Sequence, residues 1–208
     1  APSEGAIAFG ERRIDGLRPY TLARLGLSRT FQNLQIFFNM SALENVMVGA
    51  HLHGDARLLS ALLPLPGRAA AERARREEAA AFMDSVGLGA YVASEPGAMP
   101  YGTLKRLEIA RALASRPKLL MLDEPAAGLN LAEAQEIGVL IRAIAASGVT
   151  VVLVEHNMRL VMGVSDHIFV LDRGRLLTEG PAESVAADPA VVSAYLGSGR
   201  SQRRARRA

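Results

Sequence analysis

Two unbroken apolar runs organise this chain. Leu119, Leu120, Met121 and Leu122 end in Asp123 and Glu124, and Val151, Val152, Leu153 and Val154 end in Glu155 and His156. Four apolar residues without alternation suit strands covered on both faces, as in parallel sheets, whose carboxyl ends are where open α/β sheets do chemistry. Short strands are also predicted at Ala6 to Phe9 and Leu27 to Phe31, with a helix from Pro19 to Leu25 between them. A further strand pair, His167 to Leu171 and Arg175 to Thr178, turns at Arg173 and Gly174. Strands alternating with helices in this way predict an α/β fold, a mostly parallel sheet with flanking helices.

The helices carry their own punctuation. Ser41 with Glu44 three residues on reads as a capping box opening Ser41 to Gly49. Asn130 with Glu133 opens Leu131 to Ser147 in the same way, and Gly148 ends it. An Ala/Glu/Arg-rich helix over Arg68 to Val86 stops at Gly87. Thr103 to Ser115, with apolar positions Leu104, Leu107, Ala110 and Ala114 directed inward, is stopped by Pro117. Asn157 to Val164 is a short helix, and Pro181 is a good first residue for the last ones. Leu58 to Gly67, holding Pro64 and Pro66, reads as an apolar loop. No strand is predicted between Asn33 and Ser115, so this stretch forms a helical subdomain.

Composition narrows the class. At 208 residues, half of them hydrophobic, the chain can bury a core of its own. There is no cysteine, which excludes disulfides and thiolate metal sites and fits a cytosolic protein. No apolar run approaches the ~18 residues that span a bilayer, so membrane association must pass through a partner. The net charge of +3 belongs to the end of the chain: Arg200, Arg203, Arg204, Arg206 and Arg207 leave 19 basic against 21 acidic side chains elsewhere. That arginine run lacks interleaved aromatics, so it reads as a solvated tail with weak affinity for anionic lipid at most, not a specific nucleic-acid reader.

The polar pairs suggest phosphoryl chemistry. Asp123 is placed to hold Mg²⁺ and Glu124 to orient and deprotonate an attacking water, although a core strand running into an acidic helix start carries the same residues. His156, an imidazole at a strand end, can hydrogen-bond a phosphate while titrating near neutrality, or serve structure alone. Gln32 after Phe31 is by itself a solvated loop residue. His51 and His53 have no third ligand nearby and read as solvated side chains.

Taken in order, Arg29-Thr30-Phe31-Gln32-Asn33, Tyr101-Gly102-Thr103-Leu104-Lys105-Arg106-Leu107-Glu108-Ile109-Ala110-Arg111-Ala112-Leu113 and Leu122-Asp123-Glu124-Pro125-Ala126-Ala127-Gly128-Leu129-Asn130 resemble the Q-loop, signature helix, Walker B strand and D-loop of ATP-binding cassette (ABC) transporter ATPases. The wording is similar to the branched-chain amino-acid importer subfamily. The resemblance runs from about Pro2 to Gly197. It implies Glu124, His156 and Gln32 as catalytic groups and Asp123 with Gln32 at Mg²⁺. Tyr101, Gly102, Thr103 and Asn130 would contact ATP across a dimer. Pro100 and Tyr101 depart from the common LSGGQ pattern, which leaves more of that contact to Gly102 and Thr103.

One element of that family is missing. A phosphate cradle needs G-x-x-x-x-G-K-[ST], whose backbone N–H groups and lysine surround the phosphates, and no glycine here precedes a lysine. The resemblance implies that the first strands and the P-loop lie upstream of residue 1, an amino-terminally truncated P-loop-type core with an inserted α-helical subdomain. It divides the chain into 1–32, the remainder of the first core; 33–115, the helical subdomain; 116–197, the catalytic α/β core; and 198–208, the tail. The implied partners are a second ABC ATPase subunit, identical or not, and two transmembrane permease subunits fed by a periplasmic or extracellular solute-binding protein. The implied place is the inner face of the cell membrane. Three alternatives stand beside this: a non-catalytic module that only donates its signature helix, a motor for urea, amide or lipopolysaccharide transport, and a soluble ABC protein. The last predicts paired cassettes or a coiled-coil insertion, and neither is in the sequence.

Overall fold

The computed structural model describes residues 2–51 and 68–194, which divide into two compact units, one ending at Val154 and the other beginning at Glu155. The Leu58–Gly67 loop, His53 and the arginine tail lie outside the described residues.

The first unit opens with a small antiparallel pair, β1 (Ala8–Phe9) and β2 (Arg12–Arg13), turned at Gly10, whose φ of 60° suits a residue without Cβ. Beneath it Asp15 ties the turn together: its carboxylate takes the Ile7 N–H at 3.0 Å and the Arg13 guanidinium at 2.8 Å, and these partners hold it below the usual carboxylate range. Helix α1 (Pro19–Arg24) leads into β3 (Leu27–Arg29), which pairs in parallel with β4 (Leu119–Asp123), and β4 with β5 (Thr150–Val154). The β3 ladder runs one residue past the strand, because Thr30 N–H donates to the Met121 carbonyl at 2.9 Å.

Between β3 and β4 come only helices among the described residues. These are α2 (Ala42–Ala50), α3 (Arg68–Ser85), two single-turn 3₁₀ segments (Gly89–Tyr91 and Pro96–Ala98) and α4 (Tyr101–Leu113). The Ser41/Glu44 box is formed, with Glu44 N–H on Ser41 Oγ and Ser41 N–H on the Glu44 carboxylate. At the end of α3 Gly87 takes φ +73° and the Leu88 N–H reaches back to the Met83 carbonyl at 2.8 Å, a Schellman ending. Helix α5 (Leu131–Ala146) carries the Asn130/Glu133 box and precedes β5.

Three sequence expectations change here. Helix α4 starts at Tyr101, two residues before Thr103, and ends at Leu113 instead of Ser115. The extended Pro100 caps it, its carbonyl accepting from both Thr103 N–H and Leu104 N–H at 3.0 Å, and Arg116 at φ +46° turns the chain away. Strand β4 is buried on one face only among the described residues: Leu120 and Leu122 are closed off, Leu119 and Met121 are half-buried, and Val152 and Val154 on the same face of β5 are exposed. The run of four apolar residues therefore overstated its cover. Strand β3 stops at Arg29, two residues before Phe31.

The second unit contains α6 (Met158–Val164), whose amino end is capped by Asn157, then the antiparallel hairpin β6 (Ile168–Asp172) and β7 (Arg175–Gly180), then α7 (Ala182–Ala187). Arg173 and Gly174 both have positive φ, 49° and 78°, as a two-residue type I′ turn requires. Pro181 precedes α7 as its cap and is not its first residue. Ile168, Val185 and Val191 form the core of this unit.

Candidate active site

The carboxyl ends of β3 and β4 bring together the groups singled out from sequence. Asp123 closes β4; its N–H donates to Thr30 Oγ1 at 3.3 Å, and its carboxylate receives the Arg29 guanidinium at 2.7 Å. Glu124, the next residue, lies in the left-handed region at φ +47°, directly before Pro125. That conformation is disfavoured for a side chain with Cβ, and more so before proline, at a cost of about 1–3 kcal/mol. It is held by the Glu124 N–H, which extends the β4–β5 ladder to the Val154 carbonyl at 2.9 Å. The result is two successive carboxylates presented at the strand end.

Gln32 joins this pair from the loop after β3, its amide Nε2 donating to Glu124 Oε2 at 3.0 Å. So residues 92 apart in sequence, Gln32 and Glu124, are brought into contact. The donor set at this corner, the Asp123 carboxylate and the amide oxygen of Gln32, is all hard oxygen. It fits a Mg²⁺ ion that keeps most of its shell from water and phosphate, since such ions are seldom held in all-protein cages. No group of three or more His, Asp or Glu that could hold a metal ion by itself exists among the described residues.

On the same unit, the amino end of α4 abuts the turn after β4. A Cβ on Gly102 would come within 3.0 Å of Glu133 Oε1, a flexible tip that could shift slightly, whereas one on Gly128 would meet the Tyr101 ring at 3.1 Å with φ at +79°, so Gly128 is the glycine the approach needs. No side chain caps α4; among its first N–H groups those of Thr103 and Leu104 go to the Pro100 carbonyl, and the half-exposed Tyr101 ring stands in the same turn. Asn130 is exposed at the α5 cap, where its Oδ1 accepts the Glu133 N–H at 3.0 Å.

His156 stands in the second unit. Its side chain is 71% exposed, with Nδ1 3.9 Å from the Glu155 carboxylate, which is itself enclosed and accepts the N–H groups of His156 and Asn157 at 3.0 and 3.2 Å.

Sequence reasoning missed the charged face of α4. Lys105, 2% exposed, donates from Nζ to the Gln32 carbonyl at 3.1 Å. Glu108 is equally enclosed; burial pushes its carboxyl up, against the N–H groups of Phe31 and Gln35 and the charges of Arg111 and Lys105. Arg111 donates to the Gln35 carbonyl and lies over the Phe37 ring, and burial lowers it while Glu108 opposes. Glu108 and Arg111 border a cavity of about 460 Å³ with Phe31, Ile36, Phe37 and Val48. The only signal was the spacing of Lys105, Glu108 and Arg111, which on a helix marks one face without saying whether that face is wet.

A parallel α/β core ending in paired carboxylates, with a loop amide and a helix amino end on the same unit, has the layout of a P-loop-type nucleotide hydrolase. Known proteins specify the kind. The ABC transporter family model matches residues 1–127, and a model described as branched-chain amino acid ATP-binding cassette transporter matches 175–200. The chain is 42% identical to the high-affinity branched-chain amino acid transport ATP-binding protein BraF of Pseudomonas aeruginosa, and 38% identical to the corresponding LivG of Escherichia coli. Each alignment covers 94% of this chain and 77% of the relative. Its structure superposes on a crystallographic ADP conformation of an ABC transporter's ATP-binding cassette with a TM-score of 0.77 at 29% identity, over 94% of this chain and 78% of the other. The chain belongs to the ABC transporter ATP-binding family, alongside the branched-chain amino acid group.

Proposed function

We propose that this chain is the ATP-hydrolysing motor subunit of an ABC importer for branched-chain amino acids or similar small solutes. The observation that carries the proposal is the contact of Gln32 with Glu124 beside Asp123, on a chain about 40% identical to branched-chain amino acid transport proteins. Glu124 takes the proton of the attacking water, and Gln32 orients both the carboxylate and that water. Asp123 holds Mg²⁺, which when bound neutralises charge on the phosphates. The amino end of α4, through Tyr101, Gly102 and Thr103, receives the γ-phosphate of ATP held by a second cassette subunit, with Asn130 at the same boundary. His156, in the second unit, takes the switch role, hydrogen-bonding a γ-phosphate. Residues 33–115 serve as the subdomain that meets the two permease subunits, and 116–197 as the catalytic core. No helix among the described residues is long and apolar enough to cross a membrane. In this reading the motor works on the cytoplasmic face through the permease, with a solute-binding protein delivering cargo beyond it.

Glu124→Gln tests this in a transporter complex that contains the chain. Turnover is expected to fall by at least about a hundredfold while ATP still closes the dimer. Hydrolysis at the wild-type rate would remove Glu124 from the base role. The second reading, a module that donates only its signature helix, rests on the missing G-x-x-x-x-G-K-[ST]. It predicts that this chain accelerates hydrolysis by a P-loop-bearing partner and that Glu124→Gln in it changes nothing. Reading the coding frame upstream for that motif separates the two at once.

A further inference from the structure

Lys105 is a buried ammonium that donates to a main-chain carbonyl. Its Nζ bonds Gln32 O at 3.1 Å and lies 5.8 Å from the centre of the Tyr101 ring. Burying a cation costs several kcal/mol unless its surroundings compensate, and a leucine or methionine would fill the same space without that cost. The charge is therefore best explained by what it holds. It holds Gln32, whose side-chain amide donates to Glu124 at 3.0 Å. One and two turns further along α4, Glu108 faces the N–H groups of Phe31 and Gln35, and Arg111 bonds the Gln35 carbonyl. Two side chains of one helix, Lys105 and Arg111, thus hold the main chain at Gln32 and at Gln35 three residues on. With its backbone pinned, Gln32 has only its own side-chain torsions left to adjust, and these suffice to reach the carboxylate.

We propose that Lys105 is a positioning residue: it fixes the Gln32 carbonyl so that the Gln32 amide meets Glu124, which ties the phosphate-facing end of α4 to the water-activating carboxylate. Tyr101, whose ring Lys105 faces, stands in the first turn of that helix, so displacement of the helix end is passed to Gln32 through a single side chain. This rests on the catalytic reading of Gln32 and Glu124 for its consequence, but not for its geometry.

The geometry is tested in the full 208-residue chain by nuclear magnetic resonance of the Gln32 side-chain amide, assigned by its loss in Gln32→Glu. In Lys105→Met that signal is expected to move to the position of a solvated glutamine, and the main-chain amides of residues 31–35 to exchange about tenfold faster, while the amides in the middle of α4 keep their protection. Lys105→Arg should restore the signal and Lys105→Gln should give an intermediate shift; these milder changes decide the matter if Lys105→Met does not fold. An unchanged Gln32 signal in Lys105→Met, or the same shift in Lys105→Arg as in Lys105→Met, overturns the proposal. In a hydrolysing transporter complex the companion expectation is a kcat lowered about ten- to a hundredfold at unchanged KM for ATP, again restored by arginine. If Gln32→Ala leaves kcat intact there, the catalytic reading fails while the resonance result still judges Lys105. If Gln32→Ala lowers kcat and Lys105→Met does not, the positioning role fails and the catalytic reading stands.

Discussion

Asn45→Ala is expected to destabilise the first unit by about 3 kcal/mol, a large share of the ~5–15 kcal/mol typical of a whole domain. Asn45 is fully enclosed on α2 and is the knot of the loop that follows Gln32. Its Oδ1 accepts the Phe37 N–H at 2.9 Å, and its Nδ2 donates to the carbonyls of Phe37 at 3.0 Å, Ser41 at 2.9 Å and, more weakly, Met40 at 3.4 Å. Two of the three carbonyls keep another partner, since Met40 N–H reaches Phe37 O and Asn45's own N–H reaches Ser41 O. The Phe37 N–H has no main-chain acceptor, so alanine orphans it at a cost of about 1–3 kcal/mol, and the lost carbonyl bonds add about 0.5–1.5 kcal/mol net. Urea unfolding at pH 7 reads the sum, and a thermal midpoint lower by roughly 6–12 °C should accompany it. Asn45→Asp keeps the acceptor but turns a buried carboxylate toward three carbonyls, so it should be worse at pH 7 and recover as the medium is acidified. A loss below about 1 kcal/mol in Asn45→Ala, or unchanged exchange protection at Phe37, would refute the reasoning.

Glu108→Gln should raise the thermal midpoint at neutral pH. Burial raises this carboxyl in the folded state, so the wild-type side chain contributes most in its protonated form and loses stability as pH climbs through the raised value. The advantage of glutamine should therefore shrink on acidification and vanish below the unperturbed value of 4.5; a gap that widens at low pH would contradict this. Leu122→Ala, at a site 1% exposed on β4, should cost about 2–5 kcal/mol in urea unfolding, and a loss under 1 kcal/mol would show that the neighbouring sheet face closes over the space. The 208-residue chain by itself should bind ATP no more tightly than about 1 mM, because phosphate cradles dominate nucleotide affinity; micromolar binding of a fluorescent analogue would overturn that.

What could be read from sequence was whatever is settled locally. The Ser41/Glu44 and Asn130/Glu133 boxes, the Gly87 ending and the Arg173-Gly174 turn each depend on a few consecutive residues, and each is formed. The start of α4 was placed two residues late because its cap, Pro100, offers no side-chain acceptor that would mark the helix start in the sequence. Strand β2 escaped because two arginines carry no alternation and owe their conformation to the turn at Gly10. Lys105, Glu108 and Arg111 look like a solvated stripe until the main chain some 70 residues away is laid against them, and Asn45 is likewise silent without Phe37. Contacts between distant segments are what the pattern of one segment cannot encode. Among the candidate site residues, Gln32 and Glu124 were paired through resemblance and not through any local signal.

Glu124 shows why the site sits at this strand end and nowhere else on the sheet. A regular strand would alternate its side chains, sending Asp123 and the next residue to opposite faces. The left-handed turn at Glu124 breaks that alternation while its N–H still completes the ladder to Val154, so one residue leaves the pleat without forfeiting its hydrogen bond. Pro125 follows, and having no N–H it leaves no donor unmet where the ladder stops. The conformational cost at Glu124 is met by contacts drawn from separate segments: the β5 carbonyl on its main chain and the Gln32 amide on its carboxylate. Asp123, still within the strand, is held instead by Thr30 and Arg29 from β3 and the loop after it. The two carboxylates are thus fixed by different partners, so Glu124 can answer to the Q-loop while Asp123 stays with the sheet. That separation suits the roles proposed above, a base at Glu124 beside a metal ligand at Asp123.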